Sequence, residues 1–217
     1  MKDFINRENI IYLESEKPKA CFVFAHGAGA DMSHSFMENI SKLLVSKHIS
    51  VLRFNFPYME KRKEDGKRRP PDRMPKLLEC YRETIFNLDL RVPIFIGGKS
   101  MGSRVAATIA NEFVDKVSGV VCLGYPFHPQ KKPENLRLEP LQETNARILI
   151  IQGERDALGN KEEIQSYELS SMCEIKYLPD GDHDFKPRVK SGITHQINIE
   201  KAAELVYEFI EERINEQ

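Results

Sequence analysis

What this sequence lacks narrows its chemistry. Its four cysteines, Cys21, Cys80, Cys122 and Cys173, form no CxxC pair and no zinc-ligand spacing. Cys21 and Cys122 sit inside apolar runs, so they read as small buried hydrophobes in a reducing compartment, and no metal site is expected. Charge of one sign is not in excess. The formal net charge of -1 supplies no strong pull toward nucleic acid or a membrane surface. Long hydrophobic runs are missing too. No apolar stretch follows the opening Met1-Lys2-Asp3-Phe4-Ile5-Asn6-Arg7-Glu8, so neither a signal peptide nor a membrane span is expected, and a cytoplasmic protein is. Gly97-Gly98-Lys99-Ser100 echoes the end of a phosphate loop, but the earlier glycine spacing is absent, which argues against an NTPase. No cofactor is expected. With no internal repeat and no low-complexity linker, residues 1–217 read as a single domain.

Short apolar runs alternate with longer amphipathic ones, and that rhythm predicts a mostly parallel sheet covered by helices. Strands are expected at 10–13 (an edge strand), 21–25, 49–54, 92–96, 119–123, 147–152 and 174–178. Apolar residues at helical spacing predict helices over 36–47, 75–88, 102–113 and 197–214. Residues 57–73 are dense in charge and proline, and residues 126–144 are polar and proline-punctuated. Both read as loops over one end of the sheet. The gap at 126–144 is too short for a helical cap domain.

The chemistry concentrates at Gly98-Lys99-Ser100-Met101-Gly102, a G-x-S-x-G pentapeptide. An apolar strand precedes it and an amphipathic helix follows it. That strand–turn–helix frame places a serine hydroxyl on a sharp exposed turn, with glycines where a side chain would clash. The frame predicts an α/β-hydrolase fold in which Ser100 is the nucleophile. A serine needs a base to take its proton, and in this fold the order along the chain is serine, acid, histidine. Asp156 follows the strand at 147–152 and is expected to be the orienting acid, with Glu154 as its competitor. His183 follows the strand at 174–178 and is expected to be the base. Asp180, Asp182 and Asp184 flank it too closely to face its ring, and read as turn caps or solvated groups. His195 lies near a helix start and reads as a solvated or capping residue. His34, His48 and His128 lack a strand-end setting.

A tetrahedral intermediate needs two preorganised donors for its oxyanion. The expected donors are the N–H of Met101, at the start of the helix, and that of Ala28 in His26-Gly27-Ala28-Gly29-Ala30, with Gly29 as second choice. His26 is expected to hold that loop through its ring nitrogens. Gly29 and Tyr125 are expected to meet the substrate.

Several segments resemble one branch of the α/β-hydrolase superfamily: the small hydrolases that include the hydrolase-like domain of a histone-acetyltransferase complex subunit and a testis-expressed homologue. The matching stretches are His26 to Ala30, Arg53-Phe54-Asn55-Phe56-Pro57-Tyr58, Gly97 to Arg104, Leu123-Gly124-Tyr125-Pro126, Gln152 to Asp156, and Gly181 to Pro187. A more distant similarity is to dienelactone hydrolases, which use cysteine where this chain has Ser100, so their reaction is not carried over. The resemblance implies the fold and the triad but no substrate. Relatives in chromatin complexes imply a rival reading, a hydrolase-like interaction module with little catalysis; the complete triad here favours an enzyme. The expected substrate is a small-molecule carboxylic ester or thioester, with amide or peptide hydrolysis as the alternative. No nucleic-acid or membrane partner is expected, and the sequence leaves the oligomeric state open. The basic residues among 61–73 are interleaved with acids and read first as a solvated segment, and second as a weak attractor of anions. The role of Lys99 stays open.

Overall fold

The computed structural model describes residues 8–216. The opening segment whose sequence argued against a leader lies, apart from Glu8, outside them. No helix among the described residues is long and apolar enough to cross a membrane.

Among the described residues seven strands form one sheet, in the order β1-β3-β2-β4-β5-β6-β7. They are β1 (Ile10–Leu13), β2 (Ala20–Ala25), β3 (Ile49–Phe54), β4 (Ile94–Lys99), β5 (Val117–Leu123), β6 (Ile148–Gly153) and β7 (Cys173–Leu178). Only β1, at the edge, runs antiparallel to its neighbour β3; every other pairing is parallel. The parallel strands β2 to β6 are almost wholly buried, as expected of strands covered on both faces, and their sequences are near-continuous apolar runs such as ACFVFA and ILIIQG.

Helices α1 (Ser35–Val45) and, at the far end of the chain, α7 (His195–Asn215) cover one face. There Phe36, Ile40, Val206, Phe209 and Ile210 pack on Phe22, Phe95 and Leu149. The other face is covered by α3 (Met74–Phe86) and α4 (Met101–Ile109), where Leu77, Tyr81, Val105 and Ile109 join the side chains of Val23, Ile96 and Cys122. Tyr81 ties this layer to the sheet: its buried hydroxyl lies 2.7 Å from the carbonyl oxygens of both Val23 and Gly97.

The charged segment 57–73 departs from expectation. Its first half is a helix, α2 (Pro57–Asp65), rather than a loop. The local signals are proline at the helix start, Glu60 in the first turn, Arg62 and Lys63 in the last, and Gly66 closing it in the left-handed region. Only Tyr58 and Met59 are buried, so the apolar face is too narrow to show as a period. Residues 126–144 hold a single short turn of helix, α5 (Glu139–Gln142), and another short helix, α6 (Lys161–Ile164), follows β6.

Parallel pairing brings the C-terminal ends of β2, β4, β6 and β7 to one edge of the sheet. Ala25 stands beside Gly98, Lys99 beside Leu123, and Gly153 beside Leu178. From β2 the chain moves outward to β3 and then crosses back to β4, so the strand order reverses between β2 and β4. In open α/β sheets that reversal opens a crevice at the carboxyl ends of the strands.

Candidate active site

Ser100 sits at the end of β4 in a strained conformation, φ 53 and ψ −116, between the strand and the first turn of α4. The flanking glycines explain how the turn closes. A Cβ on Gly98 would lie 2.3 Å from the Gly102 carbonyl carbon, and one on Gly102 would lie 2.5 Å from the Ala25 oxygen. Main chain fills both places, so no side chain fits. The strand itself runs on through Gly97 and Gly98 to Lys99, further than its apolar stretch suggested.

The Ser100 hydroxyl lies 2.8 Å from His183 Nε2, and His183 Nδ1 lies 2.7 Å from Asp156 Oδ2. An ionised carboxylate can only accept, so Nδ1 carries the ring proton and Nε2 offers its lone pair to the hydroxyl. Asp156 is completely buried and its oxygens are fully engaged. Oδ1 accepts from the Leu158 N–H at 2.8 Å, and Oδ2 also accepts from Gln152 Nε2 at 2.9 Å. The competitors are occupied elsewhere. Glu154 pairs with Lys161 and accepts the Asp180 N–H, while Asp182 accepts the N–H groups of Asp184 and Lys186. His195 bonds the Asp184 carbonyl from the start of α7.

The loop after β2 is fixed from below by two side chains. Buried His26 accepts the Phe56 N–H at Nε2, 3.0 Å, which leaves Nδ1 to donate to the Gly27 carbonyl at 2.7 Å. Burial lowers the His26 pKa to about 4, so the ring is neutral when it does this. Tyr58, from α2, donates to the Ala28 carbonyl at 3.0 Å. Sequence reading passed over Tyr58 because its helix was hidden among charges.

A cavity of about 300 Å³ opens over these groups, bounded by the loop from Gly27 to Ala30, Phe36, Met37, Ser100 and His183. Ala28 and Gly29 stand in its wall, and Met101 opens α4 directly after the serine. Tyr125 does not reach it. That ring is completely buried against Phe127 and its hydroxyl donates to the Arg137 carbonyl at 2.8 Å, so the expectation that it meets substrate is corrected. His34, set aside in the sequence, does line the cavity, where it also caps α1. Among the charges of segment 57–73, Arg62 and Lys63 border a shallow depression that shares Gly29, Ala30 and His34 with the cavity rim. Arg69 is instead paired with Asp65.

Lys99, left open by the sequence, points into the cavity wall. Its ammonium donates to the His183 carbonyl at 2.7 Å and lies 3.2 Å from Asp184 Oδ1. Burial pulls its pKa down, opposed by Asp184 and Asp156. The residue before the serine thus clamps the main chain of the histidine. Gln152 is the other group that sequence reading missed, although a lone polar residue ending an apolar strand is a visible signal.

A family model described as an alpha/beta hydrolase domain matches residues 18–211. The chain belongs to the α/β-hydrolase family. Among solved structures, it is similar to Est1E from Butyrivibrio proteoclasticus with ferulic acid bound, at 16% identity, TM-score 0.68 and 95% coverage of each chain. It is also similar to a dienelactone hydrolase from Anabaena variabilis, at 18% identity and TM-score 0.68, covering 92% of this chain and 88% of that one. A third is XC6422 from Xanthomonas campestris, an α/β serine hydrolase without a lid, at 13% identity and TM-score 0.63, covering 95% and 88%. At these identities the likeness establishes the fold. Between β5 and β6 the described residues hold one short helix, α5.

Proposed function

We propose that this chain is a serine hydrolase that cleaves a small carboxylic ester or thioester through an acyl-enzyme on Ser100. The observation that carries the reading is the unbroken hydrogen-bonded line from Ser100 Oγ through His183 to buried Asp156, opening on the cavity. Ser100 Oγ attacks the acyl carbon as its proton passes to His183 Nε2. Asp156 holds the ring in the required tautomer and offsets the imidazolium charge. The N–H groups of Ala28 and Met101 receive the oxyanion. His183 then returns the proton to the departing alcohol or thiol. Water, deprotonated by the same nitrogen, attacks the acyl-enzyme, and Ser100 regains its proton as the acid leaves.

The cavity lies at the small end of ligand-site volumes, which favours a short acyl group. One similar structure has ferulic acid bound and another is named a dienelactone hydrolase, and both lend support to a carboxylic substrate class. The test is a graded series of p-nitrophenyl esters, matched thioesters and anilides, with Ser100→Ala as blank. Turnover should be highest for the shortest esters. Folded protein no faster than the blank on every ester would overturn the reading, and faster anilide than ester cleavage would replace it with an amidase.

A further inference from the structure

A second cavity, of about 290 Å³, lies between α4, the start of α3 and residues 136–143, and shares no lining residue with the reaction cavity. Two guanidinium groups, Arg104 and Arg137, face it. Arg104 stands on the rigid α4, one turn beyond Ser100. Arg137 is fixed at both main-chain groups: its N–H donates to the Phe127 carbonyl at 2.8 Å and its carbonyl accepts from Tyr125. Burial lowers the Arg137 pKa, and the positive charge of Arg104 lowers it further. Among the described residues neither guanidinium has a carboxylate partner. Arg137 makes one long contact, 3.5 Å, to the Pro126 carbonyl, and Arg104 Nε is sealed from solvent with no acceptor. Glu139 and Glu143 belong to the rim without pairing to either arginine. Two guanidinium groups on fixed backbone thus line one cavity with no carboxylate between them, and one keeps a buried unused donor, an arrangement that an anion would complete.

We propose that Arg104 and Arg137 form a binding site for a small phosphate monoester, separate from the reaction cavity. A doubly charged phosphate matches both guanidinium forks, whereas a single carboxylate leaves one charge uncompensated. Inorganic phosphate alone would leave most of the space unfilled, and Met74, Ala107 and Leu138 supply apolar wall for an organic body. The inference is independent of the esterase reading, because binding is read without turnover.

The experiment titrates phenyl phosphate into the full chain by calorimetry at fixed ionic strength, with benzoate and inorganic phosphate in parallel. Saturable binding is expected for phenyl phosphate, weaker for inorganic phosphate and weakest for benzoate. Arg104→Met and Arg137→Met should each weaken it about tenfold or more, as loss of a hydrogen bond to a charged group does. Arg68→Met, in the exposed charged segment, should leave it unchanged. Binding should survive labelling of Ser100 by a fluorophosphonate, which fills the reaction cavity. No saturable binding to wild type, equal binding by folded Arg104→Met and Arg137→Met, or loss of binding on labelling would each overturn the proposal.

Discussion

Asp156→Asn replaces a buried acceptor with an amide that has one acceptor oxygen and two donors. Three N–H groups now converge on the carboxylate, from His183, Gln152 and Leu158. With the amide oxygen toward His183, the amide nitrogen meets the Leu158 N–H, and the imidazolium formed when Ser100 is deprotonated has lost its counter-charge. With the nitrogen toward His183, Nδ1 must accept, the ring proton moves to Nε2, and no lone pair faces the serine. The first case can be sized. Opposite unit charges at the 2.7 Å separation attract by about 6 kcal/mol at an effective dielectric of ~20. At about 1.4 kcal/mol per tenfold in rate, that is roughly 10⁴-fold, and the wrong tautomer costs a similar amount. The assay is kcat/KM for p-nitrophenyl acetate, with folding checked by circular dichroism and thermal melting. Glu154→Gln, whose side chain serves Lys161 and the Asp180 N–H, is expected to stay within about twofold of wild type, since it touches no reacting group. Asp156→Asn within tenfold of wild type, or a collapse of rate in Glu154→Gln, would refute the assignment of the acid.

The remaining predictions test the groups that hold the site. His26 has its pKa lowered from 6.5 to about 4 by burial, so between these values the unfolded chain takes up a proton that the native one refuses. Stability should fall as pH drops through that window, by roughly 3 kcal/mol from this residue. Urea unfolding of His26→Gln should show a flatter pH dependence below pH 6.5, and an unchanged slope would refute it. Gly102→Ala should destabilise by roughly 3 kcal/mol or more, because its Cβ would press on the Ala25 and His26 carbonyls. A melting temperature equal to wild type would contradict that geometry. Lys99→Met removes the ammonium from the His183 carbonyl, and should lower kcat about tenfold with little change in KM, since it positions the base rather than the substrate. A rise in KM at constant kcat would make Lys99 a substrate contact instead.

Ser100 and Asp156 were legible because each follows a buried strand with a near-continuous apolar run that the chain breaks abruptly with glycine or a charged turn, whereas His183 follows β7, a half-buried strand of alternating sequence CEIKYL, and was placed by chain order. All three follow strand ends, and parallel pairing brings those ends to one edge. The contacts between elements were not legible. α2 has only two buried residues and reads as solvated charge, so Tyr58, its contribution to the site, stayed hidden. Lys99 and Gln152 act through residues 84 and 4 positions away, across a loop and a strand end, which no periodicity reports. Tyr125 was expected to meet the substrate, yet the chain turns at Gly124, with φ +64, and the ring is buried against Phe127 with its hydroxyl on the Arg137 carbonyl.

The central claim is that Ser100 is an activated nucleophile rather than a serine on an inert turn. A fluorophosphonate tests it most directly, because phosphonylation requires both removal of the hydroxyl proton and donors for the developing oxyanion. Intact mass and peptide mapping should find one adduct on wild-type protein, at Ser100. Labelling should vanish in His183→Ala and persist in His195→Ala, because the His195 ring bonds the Asp184 carbonyl and not the Ser100–His183–Asp156 line. Folded wild-type protein that takes up no label, or that is labelled equally well in His183→Ala, would contradict the account.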